Sequence, residues 1–248
     1  MKVTRLLPVC GAILLAGGPA LADHKVYSPV VEENVWELEA RGQRTIDSDK
    51  NKDDAQDQIY ELSYGVNSWW YTAIFGNLTK EPQGNIEYSA TGLENIFQLT
   101  PQGEYWLDAG LYFEYARASS RHDPDEFEFK LLLEKQVAPL VLTANLIFNR
   151  DIGDNAGKGV GFEYALRANY PWKRGLQFGI EAFGEPGRLT GFEPTAEQTH
   201  SLGPVLSGKF NLPMIPGNFV YEAGYLFGLT EGSPSGEVKW GLEYEILF

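Results

Sequence analysis

The stretch Glu237–Phe248, EVKWGLEYEILF, decides how the rest of the chain reads. Val238, Trp240, Leu242, Tyr244, Ile246 and Phe248 occupy alternate positions, with Glu237, Lys239, Gly241, Glu243, Glu245 and Leu247 between them. A period of two is that of an extended strand, whose successive side chains leave opposite faces. One face of this strand is apolar throughout and the other carries four charges. A soluble sandwich would turn the apolar face inward. A face this charged fits better as the lining of an interior, with the apolar face on lipid.

Working outward, the same unit recurs: an alternating run of about ten residues, then a break, the length a tilted membrane-crossing strand needs. The runs are 35–45, 58–66, 69–78, 85–99, 104–117, 127–137, 140–150, 159–170, 176–185, 198–211, 219–229 and 237–248. They predict an all-β chain folded as a transmembrane, antiparallel, up-and-down β-barrel of about 12 strands, with 10 left open if a pair fails. The breaks alternate in character. Those at 67–68, 101–103, 138–139, 171–175 and 213–218 are short and turn-like, and the others are polar and mostly longer. That asymmetry puts the short turns, and both termini, on the periplasmic side. Aromatic residues gather there, as an interfacial belt would: Trp69, Trp70 and Tyr71, Tyr105 and Trp106, Tyr170 and Trp172, Phe219 and Tyr221. Two runs strain the pattern. In 85–99 the apolar phase slips by one residue, which a bulge near Gly92 would absorb. In 198–211 Pro204 has no amide hydrogen to give a neighbouring strand.

The final strand resembles the terminal strand of Gram-negative outer-membrane β-barrels. The resemblance rests on Trp240, Leu242, Tyr244, Ile246 and Phe248. It implies that these residues form the signal read by the barrel-assembly machinery, and that the chain sits in the outer membrane of a Gram-negative bacterium. The bits Val26–Pro29 and Trp36–Gly42 are also similar to the start of certain proteobacterial barrel proteins, a short likeness that implies no activity.

The amino-terminus agrees on destination. Lys2 and Arg5 precede an apolar stretch from Leu6 to Leu15, and Ala20-Leu21-Ala22 follows as a cleavage signal. This reads as a secretory signal peptide over residues 1–22. Residues 23–34 have no clear period and contain Pro29, so they read as a periplasmic lead-in to a barrel over 35–248. The only cysteine, Cys10, lies in the signal, which leaves no disulfide or thiol chemistry to the mature chain. Removing Lys2 and Arg5 leaves 18 Lys and Arg against 34 Asp and Glu, a net charge of −16. So acidic a chain does not suit nucleic acid.

With the apolar phase on lipid, the other phase lines the lumen. The acids read as inward are Glu37, Glu39, Glu61, Glu87, Glu94, Asp108 and Glu114 on the first runs. Glu128, Glu134, Glu163, Glu181, Glu222, Glu243 and Glu245 follow on the later ones. The bases are Arg41, Lys130, Arg167, Lys209 and Lys239. Trp106, Tyr112, Phe183 and Leu226 would narrow the bore. Such a lumen attracts cations through its field. Alternatively its charges pair, Glu163 with Arg167 or Glu128 with Lys130, and plug a barrel whose size lies between filled and open ones.

Other chemistry is thinly represented. Asp47, Asp49 and Asn51 have the spacing that opens a calcium loop, but Lys52 stands where that loop needs Gly and Gln58 where it needs Glu. A solvated charged loop fits better, and no cofactor is expected. Outer-membrane lipid hydrolases of similar size carry an H-x-S pair. Here only His200-Ser201 is available, and adjacent strand residues face opposite sides. The sequence therefore points to a monomeric passive channel for small cationic or neutral solutes, not an enzyme, with outer-membrane lipid and lipopolysaccharide around it. The competing reading is a non-conducting structural or surface-interaction barrel with a plugged lumen.

Overall fold

The computed structural model describes residues 24–173 and 175–247. The signal peptide and Phe248 lie outside the described residues. Twelve long strands run up and down: β1 Val35–Ile46, β2 Gln56–Asn67, β3 Trp70–Lys80, β4 Glu87–Gln98, β5 Asp108–Ala118 and β6 Asp125–Val137 make the first half. β7 Leu140–Ile152, β8 Gly161–Pro171, β9 Gln177–Arg188, β11 Thr199–Phe210, β12 Asn218–Gly228 and β13 Gly236–Leu247 make the second. A two-residue strand, β10 (Gly191–Phe192), folds back on the end of β9. Each long strand pairs antiparallel with the next, and β1 pairs with β13 from Val35↔Leu247 to Ile46↔Gly236, closing the sheet. The barrel has no free long edge, which is what a sheet needs where no water can satisfy its backbone.

The pairing row Glu37–Ser63–Ala73–Glu94–Glu114–Glu128–Asn149–Gly161–Arg188 begins near the start of β1 and finishes at the last residue of β9. A row that climbs a strand's length while crossing the wall is the stagger of tilted barrel strands. The phase slip in β4 is absorbed at Ser89, which has no partner between Leu78↔Tyr88 and Asn77↔Ala90, three residues before Gly92. Gly92 has another reason to be glycine: a Cβ there would stand 2.1 Å from the Phe75 ring. The β11–β12 ladder lapses at Gly203 and Pro204, where proline offers no donor.

Side chains sort by face. Leu38, Leu62, Ile74, Leu93, Ile180 and Leu242 are exposed on the outside, and a band of rings from Trp36 and Tyr64 through Trp69, Trp70, Phe97, Trp172, Phe210 and Tyr244 marks the short-turn end. Two aromatic assignments change. Tyr71 faces the lumen and is buried, donating to Glu61 at 2.6 Å. Trp106 is 78% exposed and lies in the 99–107 connection, not in the bore. Its run begins later than its alternation suggests, because Asp108 accepts the Gly103 amide and Thr100 accepts the Ala109 amide, holding 100–107 as a turn. That connection is as long as those at the other end, so the contrast in loop length is weaker than the sequence implies.

Leu131 stands mid-wall on the outer face between Leu111 and Leu146. Leu131→Arg should cost about 2–4 kcal/mol, the range for a cation at mid-bilayer depth on a barrel's lipid face. The measurement is the urea midpoint in lipid vesicles. Glu243→Gln, on the inner face of β13, should move it much less. Equal losses would mean that the two faces are assigned the wrong way round.

Candidate functional site

The inner wall is built from alternate residues of all twelve long strands, and the predicted set of lumenal charges lies along it. Glu39, Arg41, Glu61, Glu94, Asp108, Lys130, Glu134, Glu181, Lys239 and Glu245 are buried. Glu37, Glu114, Glu128, Glu163, Arg167, Glu222 and Glu243 are half-buried, and Lys209 and Glu87 are exposed towards opposite rims. Two ion-pair networks organise them. In one, Arg167 and Lys239 alternate with Glu181 and Glu222: Arg167 reaches both acids, and Lys239 reaches Glu181 at 2.6 Å and Glu222 at 2.8 Å. In the other, Arg41 bridges Glu39 at 2.9 Å and Glu61 at 2.7 Å. Glu128 pairs with Lys130 at 2.9 Å, as the sequence suggested. Glu163 does not pair with Arg167; it accepts from the Asn149 side chain, while Arg167 turns to Glu181, its direct partner on β9, and to Glu222 on β12. Asp108 caps the 99–107 turn, and Glu245 holds Lys209 and Asn218 near the short-turn rim.

The largest departure concerns residues 24–34. They do not form a lead-in beneath the barrel. β1 starts at the short-turn end, but the chain before it turns into the bore, and His24 reaches Glu237 at the opposite end of β13. The turn is made at Asn34, in a left-handed conformation with φ 61°, whose amide donates to the Gly65 carbonyl at 2.8 Å. Gly65 must be glycine, since a Cβ would lie 1.9 Å from the Glu32 carbonyl oxygen. Higher up, Pro29 sits against Gly110, where a Cβ would approach it to 2.9 Å.

Inside, the segment is extended and its residues alternate between walls. His24 pairs with Glu237 and stacks on Phe183 at 4.3 Å, and Val26 packs with Ile147, Ala165, Phe183 and Leu226. Lys25 reaches Glu39 at 2.6 Å, and Tyr27 packs with Tyr71, Ala73, Ile96, Tyr112 and Leu132. Each side of the segment therefore carries one basic group and one apolar group. Alternation of that kind leaves no hydrophobic period, which is why the stretch looked patternless. Tyr27 is the anchor. Its amide donates to Asn145 Oδ1 and its carbonyl accepts from Asn145 Nδ2, both at 2.8 Å. Its hydroxyl accepts from Arg41 at 3.1 Å and donates to Glu94 at 3.4 Å. The Lys130 ammonium stands 4.4 Å from the Tyr27 and Tyr112 ring centres, within cation–π range. A cavity of about 170 Å³ remains beside the segment, lined among others by His24, Lys25, Arg41, Arg167, Glu222 and Lys239.

His24, Lys25, Tyr27 and Asn145 escaped the sequence reading, and Glu237 was read on the inward face without its partner. The available signal was the sign of charge: two cations arrive just where the mature chain begins, ahead of a lumen rich in acids. In the loops, Asp47 accepts from the amides of Asp49 and Ser235 and Asp49 from Asn51. The Asp49 amide bond, with those from Ser235, holds the Asp47 carboxyl below its ordinary range. These oxygens are occupied by the loop itself, and among the described residues no group of three or more His, Cys, Asp or Glu is placed to hold a metal. His200 lies on the outer face with its ring bonded to Tyr164 and Gln198, and Ser201 is buried on the inner face. The pair does not meet.

No family model matches the chain, and no curated protein matches its sequence. Solved structures match its fold. A NanC porin in a rhombohedral crystal form superposes with a TM-score of 0.55 at 12% identity, covering 85% of this chain and 100% of that one. A KdgM porin in complex with disordered oligogalacturonate gives 0.50 at 11% identity, covering 86% and 99%. The likeness is one of fold. With an apolar outer face on a closed barrel, it makes this chain a barrel of the Gram-negative outer-membrane type.

Proposed function

We propose that this outer-membrane barrel is a narrow passive channel for small solutes, with a cation-favouring lumen and its own amino-terminal segment as a removable plug. One observation carries the reading: among the described residues, what crosses the bore of this charged, closed barrel is a ten-residue stretch held through its side chains and through main-chain bonds to Asn145 and Gln98. A barrel meant to be solid would fill its centre from the strands, as eight-stranded ones do. Here the wall supplies acids in excess, and the segment supplies His24 and Lys25 against them. The short-turn end is read as periplasmic. At the other rim Arg117 and Arg150, exposed on the outer face, suit the phosphates of outer-leaflet lipid.

Reversal potentials in a salt gradient test the selectivity. Conducting barrels should favour cations, since charges on a narrow, low-dielectric bore are poorly screened. Replacing Glu128, Glu163 and Glu243 together by Gln should reduce that preference by roughly half or more while the barrel still folds. Anion-selective currents from the unaltered protein would sink the acidic-lumen argument. The plugged structural reading has an observation in its favour, the complete pairing of Tyr27. It takes over if neither the whole chain nor the chain without its plug conducts.

A further inference from the structure

We propose that the space filled by residues 24–31 is a binding tract for short basic peptides in extended conformation, which enter by displacing that segment. The proposal rests on the channel reading and names its solute class. The wall meets the segment's main chain as well as its side chains. Asn145, wholly buried, both donates to and accepts from one residue, Tyr27, as a neighbouring strand would. Gln98 accepts the Val31 amide at 2.8 Å, four residues further on. Neither contact involves a side chain of the segment, so both would serve any extended peptide of suitable length.

The side-chain environment sets the preference. Glu237 on β13 faces residue 24, and Glu39 on the adjoining β1 faces residue 25. Successive side chains of an extended chain point opposite ways, so two adjacent basic residues would each meet one carboxylate. Two residues beyond the second base, Tyr112 and Lys130 frame a slot for an aromatic ring. An acidic peptide would instead bring like charge to Glu39 and Glu237, where low dielectric makes repulsion costly. A bore closed merely by bulk needs no such groups. A buried amide reader is a liability when unpaired, and it makes sense where one peptide-like occupant replaces another.

The test uses the barrel lacking residues 24–33 in planar bilayers, with two synthetic hexapeptides: HKVYSP, the sequence of residues 24–29, and its acidic counterpart EEVYSP. HKVYSP should interrupt the current with dwell times at least about tenfold longer than EEVYSP. Asn145→Leu in the same barrel should shorten the HKVYSP dwell by about tenfold, the worth of roughly one buried hydrogen-bonded group. Equal dwell times for the two peptides, or dwell times indifferent to Asn145→Leu in a barrel that still shows heat-modifiable mobility, would overturn the proposal and leave the channel standing. If the truncated barrel is silent, the channel reading fails. Binding of fluorescent HKVYSP to the detergent-solubilised barrel then decides the tract on its own, and charge-independent or absent binding overturns it.

Discussion

Deleting residues 24–33 raises the conductance of the barrel roughly tenfold, because the strands alone leave a bore that the segment now occupies. The expected result is a change from rare, small openings to a steady open level in planar bilayers. The argument is geometric. Val26 and Tyr27 are buried among residues of β3 to β12, and without them the space between opposite walls is water-filled. Lys25 and His24 leave with the segment, so the open lumen is also more acidic than the closed one. A milder variant, Tyr27→Ala, removes the ring between Tyr71 and Tyr112 and the hydroxyl between Arg41 and Glu94 but keeps the main-chain contact with Asn145. It should give intermediate, flickering openings. Unchanged conductance in the deletion variant would show that the wall side chains themselves close the bore.

Among the lumenal charges, the largest loss of stability is expected from Glu181→Gln. Glu181 is wholly buried and joins Arg167 to Lys239. Neutralising it leaves both cations sharing Glu222 alone, in a place that water reaches poorly. Breaking a buried pair from one side costs about 3 kcal/mol, because the partner charge stays buried. Removing Lys239 as well, with Lys239→Met, should recover part of that loss, since charges that act together are not additive. Denaturant midpoints in vesicles give both numbers. Glu243→Gln is the contrast: Glu243 makes no ion pair among the described residues, and its neutralisation should cost within about 0.5 kcal/mol. A barrel as tolerant of Glu181→Gln as of Glu243→Gln would mean the four-charge network is hydrated and adds little.

The strands were legible because their grammar is local. Alternation in EVKWGLEYEILF is visible without knowing what it pairs with, and the faces it assigns to Lys239, Glu243 and Trp240 are the faces they occupy. What was misread depends on partners distant in sequence. Tyr105 and Trp106 continue an alternating pattern, and the Asp108–Gly103 and Thr100–Ala109 bonds end it. The phase slip in β4 was visible, but its position was set by which residue of β4 could do without a partner on β3. Glu163 and Arg167 stand four residues apart on one face, yet Arg167 finds its acids on β9 and β12. The plug was the hardest to see. Its four inner residues carry charge and grease on both sides, and their pattern has meaning only between two walls that the chain has yet to build.

The plug is attached directly to β1, and β1 is also the strand that meets β13 at the seam. That attachment orders events during assembly. Once the first and last strands have zipped together, a segment left outside would have to thread its charged end through a nearly closed ring. Entry is easiest while the ring is still a curled sheet, with Asn34 already turned and β1 free to carry residues 24–33 sideways into place. A segment that enters at that point would stopper the bore in the same step that completes the wall.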